Sequence, residues 1–322
     1  MKVSIVTTVL NEEKTIDAFL DSVAGQIKKP DEVIVVDGGS VDWTVEKMQK
    51  KGLDNLNLRI IIEPGANRSQ GRNIGAKKAT GEILAFTDAG CILDKNWLQE
   101  ITKPFSDPKV KLVSGYYKGK AKNTFEKCVI PYVLVMPDKV NPNNFYPASR
   151  SMAIRKEVFW QFGGFPENFS DNEDFVFAQR LISGGIKPFF AQKAIVEWLP
   201  RSNLHDFWKM IFRFARGDAM AGLRKLKVAS VYTRYLLFLF LFFSFLFFHQ
   251  NFYLKVLFFS FFLYLVWSIV KNYRYVRQLK AFFWLPVLQI TSDFAVMIGS
   301  LKGCYHKIKN EKNSSTSFRN HC

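Results

Sequence analysis

The strongest constraint on this chain is a run without a charged side chain. From Tyr235 to Leu254, 20 consecutive residues carry no Asp, Glu, Lys or Arg, and most are Leu or Phe. As a helix the run would be about 30 Å long, the thickness of a bilayer's hydrocarbon core. A helix buried in a soluble core still needs a polar stripe, and LLFLFLFFSFLFF (236–248) has none. A second apolar run covers Val256 to Val270, with Lys255 at its start, where a lysine can reach the headgroups. Two spans are therefore expected, about 231–249 and 252–270.

Charge supports a membrane partner. The chain has a formal net charge of +17, and residues 206–322 hold 17 Lys and Arg against 4 Asp and Glu. Basic excess beside apolar runs points to an anionic membrane surface rather than to nucleic acid. With 48% apolar residues and 32 Phe, the composition excludes disorder, a collagen-like repeat and a small disulfide scaffold. The four cysteines (Cys91, Cys128, Cys304, Cys322) form no CxxC pair, which fits a reducing compartment. The first apolar stretch, Val3 to Leu10, is too short for an export signal and meets Asn11-Glu12-Glu13. The N-terminal part is therefore expected in the cytoplasm. The basic loop 271–280 (Lys271, Arg274, Arg277, Lys280) is expected on the same side. The third apolar segment, 281–301, contains Pro286, Gln289 and Asp293. It is expected to be interfacial or re-entrant, with the polar basic tail 302–322 cytoplasmic and disordered beyond Lys309. The rival is a third span with Asp293 buried against the other two helices or facing the acceptor path.

The first 200 residues read differently. VSIVTTVL (3–10), EVIVVD (32–37), LRIIIE (58–63) and EILAFTD (82–88) are short, β-branched and apolar, as buried strands are. Between them, Glu13–Gln26, Thr44–Lys51 and Gln70–Thr80 read as helices. Strand and helix alternating in this order predict an α/β domain with a mainly parallel sheet, over 1–202. LVSGYYKG (112–119) and PASRSMAI (147–154) read as further strands, and an acidic helix starts near Asp171. Residues 203–230, with Phe207, Trp208 and Phe212 among Lys209, Arg213 and Arg216, read as an amphipathic interfacial helix region. Residues 231–301 form the membrane domain.

Parallel sheets bind ligands outside the carboxyl ends of their strands. Asp37 ends one strand, before Gly38-Gly39-Ser40, and Asp88 ends another, before Ala89-Gly90. If those strands are neighbours, both carboxylates face one crevice, which suits a nucleotide, one acid on the base or ribose and one on a phosphate-bound metal. The plain alternative is that each Asp starts a turn. Glu173-Asp174 opens a helix, either complementing its dipole or presenting a general base.

With these residues in view, the chain resembles the family 2 glycosyltransferases of the GT-A fold over roughly residues 1–220. VSIVTTVLNEE (3–13), VIVVDGGSVDWT (33–44), NRSQGRNIGAKKATGEILAFTDAGC (67–91), GGFPENFSDNEDFVFAQRL (163–181) and RFARGD (213–218) carry the resemblance by their order and spacing. It implies a nucleotide-diphosphate sugar donor (UDP- or GDP-linked), a divalent cation (Mg²⁺ or Mn²⁺) and inversion at the anomeric carbon. By the same resemblance Asn11 and Glu12 hold the base, Asp37 contacts uracil or ribose, and Arg72 and Asn73 line the nucleotide pocket. Asp88 matches the first acid of the DxD metal motif, and Glu173 and Asp174 match the ED motif, with Asp174 as base. Arg213 and Arg216 match a basic pair suited to the leaving diphosphate. Two departures stand out. Gly90 replaces the second acid of DxD, and MIFRF (210–214) replaces the QxxRW of processive members, which argues for single-sugar transfer. The expected acceptor is a hydroxyl on a glycan or glycolipid. The alternatives are a polyprenyl-phosphate acceptor and a non-catalytic membrane scaffold that keeps the fold.

Overall fold

The computed structural model describes residues 1–51, 57–169 and 171–319, with 144 and 310–319 described by backbone alone. In chain order the elements begin with β1 (Val3–Val9), α1 (Ile16–Ala24), β2 (Glu32–Asp37), α2 (Thr44–Lys50), β3 (Leu58–Ile62), α3 (Arg68–Lys78) and β4 (Ile83–Thr87). Next come β5 (Cys91–Leu93), α4 (Trp97–Thr102), β6 (Leu112–Gly119), α5 (Thr124–Val133), β7 (Ser151–Arg155), α6 (Lys156–Gln161), α7 (Glu173–Ser183) and β8 (Phe189–Trp198). The chain ends in four helices: α8 (Leu204–Met220), α9 (Lys225–Phe248), α10 (Asn251–Val276) and α11 (Ala281–Arg319). The chain divides into two compact units. One is Met1–Lys120 with Leu134–Leu199, and the other is Ala121–Val133 with Pro200–Cys322.

The first unit is the expected α/β domain. Its sheet runs β3-β2-β1-β4-β7-β6-β8-β5, and the first four strands are mutually parallel. β7 joins antiparallel to both β4 and β6, and β5 pairs antiparallel with β8. The parallel strands are buried on both faces, as helices packed on each side require, which is why EVIVVD is buried throughout. Val6, Ile34, Phe86, Met152, Phe159, Phe165 and Phe177 share one core cluster. Two boundaries differ from the sequence reading in a way that matters for the site. β4 ends at Thr87, so Asp88 lies just past the ladder. The strand expected over 147–154 starts only at Ser151, because Pro147 has no N–H to pair and the Ser151 N–H closes a turn onto the Ala148 carbonyl. Ser149 and Arg150 therefore stand in a turn, not in the sheet.

The second unit is helical. α9, α10 and α11 (to Lys309) are each long and apolar enough to cross a membrane, and Phe240, Phe247 and Phe258 point outward from them, well exposed. The stretch expected to form one interfacial helix region, 203–230, is two elements. α8 stops at Met220, and Gly222 and Arg224 take positive φ angles of 71° and 51° before α9 begins. α10, where the second span is expected, continues through Lys271 and Arg274, expected in a loop, until Arg277 caps it at φ 49°. Segment 281–301 lies in one unbroken helix, so the backbone does not re-enter within it. That helix also carries the tail, expected to be disordered, as far as Arg319, while 320–322 lie outside the described residues.

Two features hold these helices together. Asp293 of α11 accepts hydrogen bonds from Arg234 of α9 (2.5 Å), Tyr264 of α10 (2.9 Å) and Gln289 (2.8 Å). A buried carboxylate is tolerated when every acceptor is satisfied in this way. α8 and α11 meet backbone to backbone at Gly299 and Gly303, where a Cβ would stand 2.5 Å from the Phe212 carbonyl oxygen and 2.4 Å from that of Arg216. Small residues four apart on one helix allow this approach.

Candidate active site

The site is built by α3, the carboxyl end of β4 and the start of α7. α3 begins in a capping box between Asn67 and Gln70. It then lies directly on the sheet, because Gly71 and Gly75 face Thr8 and Val6. A Cβ on either glycine would come within 2.6 Å of those side chains. This close seat brings Arg72 to the end of β4. Its Nη2 donates to Asp88 Oδ1 at 2.9 Å and its Nη1 to Glu173 Oε1 at 2.5 Å. The guanidinium also lies 5.4 Å from the Phe165 ring centroid, and its Nε has no partner among the described residues.

The two carboxylates flanking Arg72 are displaced in opposite directions. Burial pushes the Glu173 carboxyl up, against the pull of Arg72 and with added repulsion from Asp174. Burial also opposes ionisation of Asp88, but Arg72, Arg150 and Arg68 together outweigh it, and that carboxyl titrates below the usual carboxylate range. Glu173 is 3% exposed, whereas the Asp88 side chain is 37% exposed. Asp174, the next residue, is half-buried. Its Oδ2 accepts from the Ser149 N–H at 3.2 Å and the Ser149 hydroxyl at 3.4 Å. Asn172, at φ 59°, makes the sharp entry that aims both acids from the first turn of α7.

The structure thus brings together Arg72, Asp88, Glu173 and Asp174. Asn11 and Glu12 follow β1 and hold the loop after β2: the Asn11 N–H donates to Ser40 Oγ, the Val41 N–H to Asn11 Oδ1, and the Glu12 N–H to Thr44 Oγ1. Asp37 is fully buried and accepts from the Gly39 and Ser40 N–H groups and the Ser40 hydroxyl. Asp37 thus shapes its own turn, as the plain alternative has it, and a base or ribose contact stays an expectation of the family resemblance. Asn73 likewise uses its amide on Phe165 and Glu167, fixing the 163–167 loop. Arg213 and Arg216 lie on α8, in the second unit.

Ser149 and Arg150 were missed as site residues because their segment reads as a strand. The proline at 147 was the available signal. As for a metal, no group of three potential ligands exists among the described residues. Asp88 is a single carboxylate with one oxygen engaged by Arg72. That donor set fits a cation which takes most of its ligands from phosphate oxygens and water, as Mg²⁺ often does.

Comparison with known proteins agrees with this architecture. Residues 4–163 match the family model of glycosyl transferase family 2. The chain is 28% identical over 225 residues to glycosyltransferase AglE of Haloferax volcanii, covering 67% of this chain and 72% of that one. It is 26% identical over 236 residues to the O-antigen chain rhamnosyltransferase RfbN of Salmonella typhimurium, covering 65% and 71%. In structure it resembles mannosyltransferase PcManGT from Pyrobaculum calidifontis, solved with GDP-Man and Mn²⁺, at TM-score 0.53 and 21% identity over 68% of this chain and 62% of that one. It also resembles S. aureus TarS at TM-score 0.51 and 22% identity, over 67% of this chain but only 39% of that one. The family match and the sheet order together show that the chain belongs to glycosyltransferase family 2, with a GT-A fold followed by apolar helices long enough to cross a membrane.

Proposed function

We propose that the protein is a membrane-bound inverting glycosyltransferase that moves one sugar from a nucleotide-diphosphate donor to a hydroxyl of a glycan or glycolipid acceptor. The observation that carries this reading is the Arg72 bridge, which holds Asp88 at the strand end and Glu173 at the helix start, beside Asp174. Buried Arg72, kept cationic by its acidic neighbours against the cost of burial, fixes both elements. Asp174 is left half-buried, with Ser149 orienting one of its oxygens.

In the proposed reaction the acceptor oxygen attacks the anomeric carbon from the face opposite the diphosphate. Its proton passes to Asp174, and the bond from the anomeric carbon to the diphosphate oxygen breaks, its electron pair leaving with the nucleoside diphosphate. One displacement inverts the centre, so an α-linked donor gives a β-linked product. A divalent cation, when bound, supplies positive charge to the leaving diphosphate, and Asp88 is the side chain that would hold it. Donors named for structural neighbours (GDP-Man for PcManGT, UDP-GlcNAc for TarS) support a nucleotide sugar as the partner. In this reading α9 and α10 anchor the protein, with the catalytic unit on the cytoplasmic side where such donors are made.

The test is transfer from radiolabelled nucleotide sugars to membrane extracts, with Mg²⁺ or Mn²⁺. A product stable to mild acid, lost in Asp174→Asn, is expected. A chloroform-soluble product labile to mild acid would move the assignment to a polyprenyl-phosphate acceptor. Failure to hydrolyse or transfer from any donor would leave a non-catalytic scaffold.

A further inference from the structure

We propose that Arg150 binds the diphosphate of the sugar donor, bringing to the carboxyl edge of the sheet positive charge that a second acid at position 90 would otherwise gather as metal. The inference rests on the nucleotide-sugar reading above.

The backbone sets the position. The β4–β7 ladder ends with Thr87 opposite Ser151, so the next residues outward are Asp88 on one strand and Arg150 on the other. Arg150 thus emerges beside the acid that ends β4, one residue after the Ser149 that holds Asp174. Its guanidinium lies 5.1 Å from the Tyr117 ring centroid and 5.7 Å from that of Trp198. Trp198 in turn pairs with Cys91, three residues past Asp88.

Aromatic faces hold a guanidinium by its plane and leave its N–H edge free for an anion. Among the described residues no carboxylate forms an ion pair with Arg150, whereas Arg72 has two. That edge is suited to bidentate phosphate binding. Space for the ligand lies close by, since a Cβ at Gly90 would meet no atom within 4 Å. The field of Arg150 reaches the Asp88 carboxylate, where it helps to hold the ionised form. An acid at position 90 would add a second carboxylate to hold the metal. Here that position is open, and a fixed cation arrives from the turn before β7.

The experiment measures UDP, GDP and dTDP binding by isothermal titration calorimetry on the full-length detergent-solubilised protein, with Mn²⁺. Wild type, Arg150→Gln and Arg150→Lys are compared, along with their unliganded unfolding temperatures. Arg150→Gln should weaken the nucleoside diphosphate by about tenfold or more, the size of a lost charge-assisted contact. Arg150→Lys keeps the charge but not the planar two-pronged edge, so its affinity should fall clearly below wild type, at or above that of Gln, and neither variant should shift the unfolding temperature by more than a few degrees. The inference is overturned if the Gln variant binds within twofold of wild type, if Lys binds as tightly as wild type, or if donor affinity holds while the acceptor KM rises. Wild type that binds none of the three nucleotides would remove the nucleotide-sugar reading itself. Wild-type binding with an unaffected Gln variant would remove only the role of Arg150.

Discussion

Both units bury a charged cluster, and the two are built to opposite ends. In the first, Arg72 sits between Asp88 and Glu173, and Asp88 is 37% exposed; among the described residues the Arg72 Nε has no partner and only one Asp88 oxygen is hydrogen-bonded. In the second, Asp293 has both oxygens bonded, by Arg234, Tyr264 and Gln289, and its side chain is 4% exposed. An unsaturated cluster at a strand end has donors and acceptors left for a ligand. A saturated one has none, and its use is to specify which helices pack and in what register, a role buried polar groups fill in some proteins. Buried charge alone therefore does not mark a site. Unspent hydrogen-bonding capacity at the surface does.

The comparison breaks most sharply in turnover. Asp174→Asn removes the proposed base and should lower kcat by about a hundred- to ten-thousandfold, with donor affinity nearly unchanged. The same chemical change at Asp293 should leave kcat within a few-fold and lower only stability. A collapse of kcat in Asp293→Asn, with the fold intact, would show that the helical cluster takes part in the reaction.

Stability gives the next largest contrast. Arg72→Met leaves Glu173 buried without its counter-charge and should cost about 3–5 kcal/mol by denaturation in detergent. Arg234→Met removes a cation whose side chain is 24% exposed, and Asp293 keeps Tyr264 and Gln289. The loss there should be smaller, about 1.5–3 kcal/mol, as for one hydrogen bond to a charged group. Reversal of that order would mean that the second cluster depends on its ion pair more than its saturation suggests.

Smaller again is the difference between two glycine contacts. A Cβ at Gly71 meets the Thr8 methyl, a side chain that can shift, while one at Gly303 meets the Arg216 carbonyl, which cannot without moving α8. Gly303→Ala should cost about 1–3 kcal/mol, the range for overpacking. Gly71→Ala should cost less, since the Thr8 side chain can yield; the helix-propensity gain of up to about 1 kcal/mol is common to both sites. Equal losses would show that the α3–sheet seat is as rigid as the α8–α11 contact.

The same contrast explains what the sequence revealed. The parallel strands, both apolar runs, and the acids Asp88, Glu173 and Asp174 were legible because each follows from a local pattern: β-branched runs, charge-free length, or an acid at an element's end; Arg72 was legible only through the family resemblance. Asp37 and Asn73 were legible as candidate residues, but not the loop-shaping bonds that they make. Whether a carboxylate or amide turns toward a ligand or back onto its own loop depends on hydrogen bonds to partners such as Gly39, Ser40 and Phe165. Ser149 and Arg150 were hidden by an apolar-looking segment whose strand starts late. The Asp293 network joins residues up to 59 positions apart, and no periodicity reports which polar residues of three helices will meet. The break between α8 and α9 rests on left-handed backbone at Arg224, a residue type that carries no signal for it.

The smallest expected effect is also the most specific to the open cluster, because one guanidinium there serves two carboxylates whose titrations shift oppositely. Glu173 is raised by burial, so the folded state holds its proton more tightly than the unfolded chain. Stability relative to a Glu173→Gln variant should then fall as pH rises from the unfolded-state value, about 4.3, through the higher folded one. Asp88 is lowered, so its contribution is present above the unfolded value of about 3.9 and is lost as pH falls through the folded one. Because Asp88 is more than a third exposed, solvent screens that contribution and the slope against Asp88→Asn should be shallow. Unfolding temperatures of the two variants and wild type across pH 3 to 8 should therefore give difference curves of opposite sign, Glu173 changing on the neutral side of pH 4 and Asp88 on the acid side. Curves of the same sign would mean that Arg72 holds both acids ionised, and that the asymmetry between the buried and the half-exposed carboxylate, on which the division of labour around Asp174 depends, is absent.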